Sequence, residues 1–152
     1  MKKKTKMSKK ARSEGNKVAM NIKANKTEYY ISDVNLEDNE NDVVAAAVSV
    51  RKTLGKMKSG FMLISAGVEK LIVVIDVPDS PKLSASEWLS HSLNNFTFTT
   101  LNNNTNIYAK AVLELETPFK NKDIVRSSAF TFLRQKGLLE EEESDEFEYE
   151  FE

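Results

Sequence analysis

The stretch SGFMLISAGVEKLIVVIDVPDSPKLSASEWLSHSLNN, residues 59–95, decides the fold. Its apolar run Phe61-Met62-Leu63-Ile64 is closed by Gly67, a residue that tolerates the positive φ of a tight turn. The run Leu71-Ile72-Val73-Val74-Ile75 then returns. It is apolar at consecutive positions and rich in β-branched residues, the signature of a central strand covered on both faces. Pro78 ends it by removing a ladder donor, and Pro81 keeps the connection extended. Ser84-Ala85-Ser86-Glu87 is a capping box, with Leu83 and Trp88 at the two staple positions, so a helix opens here. A cap of this kind contributes about 1 kcal/mol.

Upstream, Glu28-Tyr29-Tyr30-Ile31 with Val34 predicts a first strand. An acidic loop over residues 33–42 leads to a cap at Asn41 or Asp42. Val43, Val44, Ala47, Val48, Arg51 and Leu54 follow helical spacing, and Gly55 is the stop. Downstream of Trp88, residues 96–101 alternate aromatic and Thr as a half-buried strand does. Residues 102–106 read as a turn and 107–115 as a return strand, although Ala, Lys and Glu there also allow a helix. Pro118 punctuates. Asn121 caps a last helix whose apolar face is Ile124, Val125, Ala129, Phe132 and Leu133, with Gly137 at its end and Arg126, Arg134 and Lys136 facing solvent. Strands and helices mix without strict alternation. The expected fold is α+β: a two-layer sandwich of one mixed or mainly antiparallel sheet with helices on one face.

The series GFMLIS, KLIVVIDVP and LSASEWL resembles the C-terminal, DHHA1-type domain of alanyl-tRNA synthetase, and Ala85-Ser86-Glu87-Trp88 is the sharpest match. The resemblance covers about residues 25–138 and includes no catalytic motif. It implies a domain that holds tRNA and pairs with itself in some members. The family's Gly-rich basic loop after the Trp helix is replaced here by Asn94-Asn95-Phe96-Thr97-Phe98-Thr99, so that RNA loop is not carried over.

The near-neutral net charge of −1 hides a strong asymmetry. Lys2, Lys3, Lys4, Lys6, Lys9, Lys10, Arg12, Lys17, Lys23 and Lys26 crowd the N-terminal part, and residues 140–152 are almost wholly acidic. Like-charge blocks repel themselves, which predicts a disordered basic arm (1–26), a globular domain (27–138) and a disordered acidic tail (139–152). Phe147, Tyr149 and Phe151 alternate with acids in that tail. A protein partner docking on it is one expectation. Competition of the tail with nucleic acid for the chain's own basic arm is another.

No chemistry-bearing constellation stands out. There is no Cys, so disulfides, thiolate metal sites and a Cys nucleophile are excluded, and the composition suits a reducing cytoplasm. His91 is the only His and reads as a surface or packing residue. Phosphate-binding Gly motifs are absent. Asp76 and Asp79 flank Pro78 and read as turn formers. The expected chain is therefore non-catalytic, without metal or cofactor and without a membrane span. Met1 and the two low-complexity ends favour a free-standing protein, cytoplasmic or, from its basic run, nuclear. The expected partner is tRNA or another nucleic acid, held electrostatically by Lys2, Lys3, Lys4, Lys6, Lys9, Lys10, Arg12, Lys56, Lys58, Lys82, Lys110, Lys120, Lys122 and Arg126. The alternative is a protein-interaction module that has lost RNA binding.

Overall fold

The computed structural model describes residues 8–96 and 104–139. Helix α1 (Lys9–Asn25) leads into strand β1 (Tyr29–Asp33), and helix α2 (Glu40–Leu54) crosses over to β2 (Gly60–Ala66). A hairpin returns as β3 (Lys70–Asp76). Helix α3 (Ala85–Ser92) then precedes β4 (Tyr108–Glu114), and α4 (Pro118–Gln135) follows. The four strands form one mixed sheet in the order β1-β2-β3-β4. β1 runs parallel to β2, with Tyr29 opposite Gly60. The β2–β3 and β3–β4 pairs are antiparallel. The fold is α+β, as the sequence predicts.

The helices pack on both faces of the sheet, not on one. Side chains alternate along a strand, so a strand apolar at every position needs two covers. Phe61, Leu63, Ile72 and Val74 pack with α1 and α2. Met62, Ile64, Leu71, Val73 and Ile75 pack with α3 and α4. The two-layer expectation is thus corrected to three layers. The consecutive apolar residues of β2 and β3 are the cause.

Trp88 is fully buried beside Leu83. Its indole N–H donates to the Ala129 carbonyl of α4 at 3.2 Å, and its ring meets Tyr29 edge-on. The Ser84 hydroxyl accepts from the Glu87 amide at 3.4 Å, as the capping box requires. The Glu87 carboxylate lies 3.7 Å from Lys136 Nζ instead of closing the box.

The N-terminal segment departs most from expectation. From Lys9 onward the supposed disordered arm is a 17-residue helix. Ser8 caps it by accepting from the Ala11 amide at 3.0 Å. Ala11, Gly15, Val18, Ala19 and Ile22 form its buried stripe, at spacings of one helical face. A Cβ on Gly15 would stand 2.7 Å from the Ala46 carbonyl, so the bare glycine lets α1 approach α2 closely. Residues 1–7 and the acidic tail from 140 lie outside the described residues.

Smaller corrections follow the same logic. Gly67 does not take a positive φ; it is small because the Asp38 carboxylate fills the space a Cβ would need. Asp38 accepts from the Lys70 amide at 2.9 Å, so part of the acidic loop fastens the β2–β3 turn. Asn39, not Asn41 or Asp42, caps α2. Pro118 opens α4 at its first position, where no amide hydrogen is needed, so Asn121 sits inside the helix. Val48 and Ile124 are exposed, and Val50 takes the place expected of Val48. Of the strand expected over residues 96–101, Phe96 is a bend and the remainder lies outside the described residues.

Candidate nucleic-acid interface

The parallel pairing of β1 with β2 brings the ends of two helices together. α1 ends just before Tyr29 and α2 just before Gly60, and those two strand starts are partners in the sheet. The Ser59 hydroxyl donates to the Thr27 carbonyl, and the Gly60 amide donates to the Glu28 carbonyl at 2.8 Å. Lys26 and Lys58 are each one residue from the first of these bonds. Lys23 and Lys56 lie within about a turn of it along the chain and Lys52 within two, and all five lysines are exposed. None of the five has a carboxylate within 4.0 Å among the described residues.

The local structure favours cations here. Both helices direct their carbonyl ends, with partial negative charge, toward this corner, so lysine is at home in each last turn. Lys26 closes α1 in the left-handed conformation, with φ 52°, and its amide donates to the Ile22 carbonyl. Gly55 closes α2 with φ 60°. The dipole effect is worth about 0.3–1 kcal/mol per exposed charge, enough to place each lysine but too little to neutralise five.

The exposed face of α1 extends this surface. Lys9, Arg12, Ser13, Asn16, Lys17, Met20 and Asn21 line a shallow groove of about 660 Å³. At 1.5 Å per residue the cations from Lys9 to Lys23 span about 21 Å. Asn16 accepts from Ser49 and Thr53 of α2, which fixes the groove's wall.

The remaining expected contacts separate into free and committed groups. Lys2, Lys3, Lys4 and Lys6 lie outside the described residues. Lys9, Arg12, Lys56, Lys58 and Lys120 are exposed, with no carboxylate within 4.0 Å among the described residues. Lys10 lies 4.0 Å from Glu37. Lys82 reaches Glu28 at 2.8 Å, and that hydrogen bond raises its pKa above the ordinary lysine value. Lys110 pairs with Glu40 across the α2 face. Lys122 and Arg126 both contact Asp33 Oδ2, at 2.9 and 3.3 Å, so Arg126 is partly exposed but tied to β1. Asp33 Oδ1 is buried without a partner among the described residues. Lys23, Lys26 and Lys52 complete the corner around Lys56 and Lys58; only their helix-terminal positions hint at it in the sequence.

The other singled-out groups are occupied. Arg51 binds Asp76 Oδ1 through Nε at 3.1 Å and Nη2 at 2.8 Å, and Nη2 also donates to the Ser59 carbonyl at 2.8 Å. Its guanidinium lies over the Phe61 ring. Asp76 is therefore a strand-to-helix tie. His91 stacks on Phe132 with ring centroids 4.2 Å apart. Among the described residues, no three His, Cys, Asp or Glu side chains gather as metal ligands, and no helix is long and apolar enough to cross a membrane. Comparison with models of known protein families gave no match, and none of the curated proteins matches the chain.

Proposed function

We propose that the chain is a non-catalytic nucleic-acid-binding module of the cytoplasm that holds a phosphodiester backbone on the lysine corner and the exposed face of α1. The observation that carries the reading is the placement of Lys23, Lys26, Lys52, Lys56 and Lys58 toward the paired ends of α1 and α2, none with a carboxylate within 4.0 Å among the described residues, while the nearby Glu28 and Asp76 are taken by Lys82 and Arg51. Unpaired cations release phosphate counterions on binding, which is the driving term for sequence-tolerant association. Charge distribution supports it. Nine of the 23 Asp and Glu fall in residues 140–152 and none of the 22 Lys and Arg does, so residues 1–139 hold eight more cations than acids. The resemblance to the alanyl-tRNA synthetase C-terminal domain makes tRNA the first ligand to try. The replaced Gly loop makes the lysine corner, not that loop, the expected contact.

Fluorescence anisotropy with tRNA, single-stranded RNA and duplex DNA at low salt tests this. Lys56→Gln with Lys58→Gln should weaken all ligands to a similar degree, because phosphate contacts carry no sequence information. Lys110→Gln, which removes a cation already paired with Glu40, should leave affinity nearly unchanged. Absence of binding to every ligand at low salt would replace this reading with that of a protein-interaction module.

A further inference from the structure

The end of α4 lies at the same end of the sheet as the lysine corner. α4 starts at the Asp33 end of β1, where Lys122 reaches the strand, and finishes with Lys136 beside Glu87 in the first turn of α3. That turn follows Lys82, which binds Glu28, two residues from Lys26. Leu138 and Leu139 pack against the core here, and the chain leaves the described body at this point. The 13 residues that follow contain nine acids and no cation. A chain of that length reaches about 43 Å when extended and about 20 Å on average when flexible, enough to cross one end of a domain this size.

We propose that residues 140–152 dock on the chain's own lysine corner and compete there with nucleic acid. Charge complementarity and the attachment point together select the occupant. The most acidic segment of the chain leaves the α3/α4 face at the same end of the sheet as the five lysines, which have no carboxylate within 4.0 Å among the described residues, and its acids match the excess charge of the rest closely enough to give a net −1. The competition rests on the function proposed above; the docking does not. Tethering supplies an effective concentration on the order of millimolar, so a tail that would bind in trans at about 0.2 mM lowers nucleic-acid affinity about sixfold.

Two measurements on the full-length chain separate these. The chain has no cysteine, so Ser144→Cys gives a single site for a nitroxide label without changing charge. The label should broaden the amide resonances of Lys26, Lys56 and Lys58 at low salt, and the effect should fade near 1 M salt, where the screening length is about 3 Å. No broadening there, or broadening seen only in unlabelled molecules mixed with labelled ones, overturns docking on the chain's own corner. A second chain with all nine tail acids replaced by Gln or Asn should bind single-stranded RNA about sixfold more tightly at low salt and equally at high salt. Equal affinity at low salt overturns the competition. If neither chain binds nucleic acid, the function proposed above and the competition both fail, while the broadening still decides the docking.

Discussion

Trp88 and Ala129 are joined by a 3.2 Å hydrogen bond from the indole N–H to the α4 backbone carbonyl, inside the layer formed by α3 and α4. The bond holds two helices that are far apart in sequence against the same sheet face. Trp88→Phe removes the donor and part of the ring volume from a fully buried site. A loss of about 2–4 kcal/mol is expected, from a cavity and a missing hydrogen bond together. Urea denaturation followed by circular dichroism measures it.

Gly15→Ala sets two effects of opposite sign against each other. Replacing a helical glycine by alanine ordinarily stabilises by about 1 kcal/mol. Here the new Cβ meets the Ala46 carbonyl at 2.7 Å and Ser49 Cβ at 2.9 Å, and a backbone atom cannot swing away. Overpacking of this sort costs about 1–3 kcal/mol, so the net change should be destabilising. A higher melting temperature in the variant would mean that α1 does not sit this close to α2.

Asp33 anchors α4 to the end of β1. Asp33→Asn should strip Lys122 and Arg126 of their shared carboxylate. The Lys122 side chain is only 16% exposed, so its charge is poorly compensated by water. A destabilisation of about 1–3 kcal/mol is expected, discounted for the partly solvated Asp33. The Lys122→Met change, which removes the charge and keeps the stem, should cost less than Asp33→Asn.

Alkaline pH should loosen the sheet. Tyr108 is half-buried on the edge strand, and desolvation raises its pKa above the ordinary 10.0; Tyr29 is raised for the same first reason, with help from Glu28. A raised folded-state pKa means stability that is complete below about pH 10 and lost as pH climbs through the folded value. The urea midpoint should therefore be flat from about pH 8 to 10 and then fall. Tyr108→Phe should fall less steeply, which separates this effect from lysine deprotonation.

What the sequence reveals follows from where its signals are local. β2, β3 and the Trp88 helix are legible because their apolar runs, Pro78 and the Ser84 cap all lie within one stretch. The same runs imply two covering layers, since neighbouring strand residues face opposite ways; α2 with α1 forms the second, and α1 is the part hidden by its lysines. Ala11, Gly15, Val18, Ala19 and Ile22 mark that helix, but two alanines and a glycine make a weak stripe amid so much charge. Half of the lysine corner is legible, since Lys52, Lys56 and Lys58 cluster at the end of the predicted second helix; its joining to Lys23 and Lys26 is not. Lys23 and Lys26 are some thirty residues from Lys52, Lys56 and Lys58 and meet only because Tyr29 pairs with Gly60. The expected contacts Lys110, Lys122 and Arg126 each pair with a carboxylate that the sequence places far away, which spacing alone does not show.

The salt dependence of nucleic-acid affinity tests the central claim most directly. Log affinity for a single-stranded RNA should fall linearly with log salt, with a slope of about 0.7 for each phosphate neutralised. Replacing Lys26, Lys56 and Lys58 together by Gln should reduce that slope by about 2. The same number of replacements at the paired cations Lys82, Lys110 and Lys122 should leave it nearly unchanged. A slope that is unaltered in the first variant and reduced in the second would contradict the lysine corner as the nucleic-acid interface.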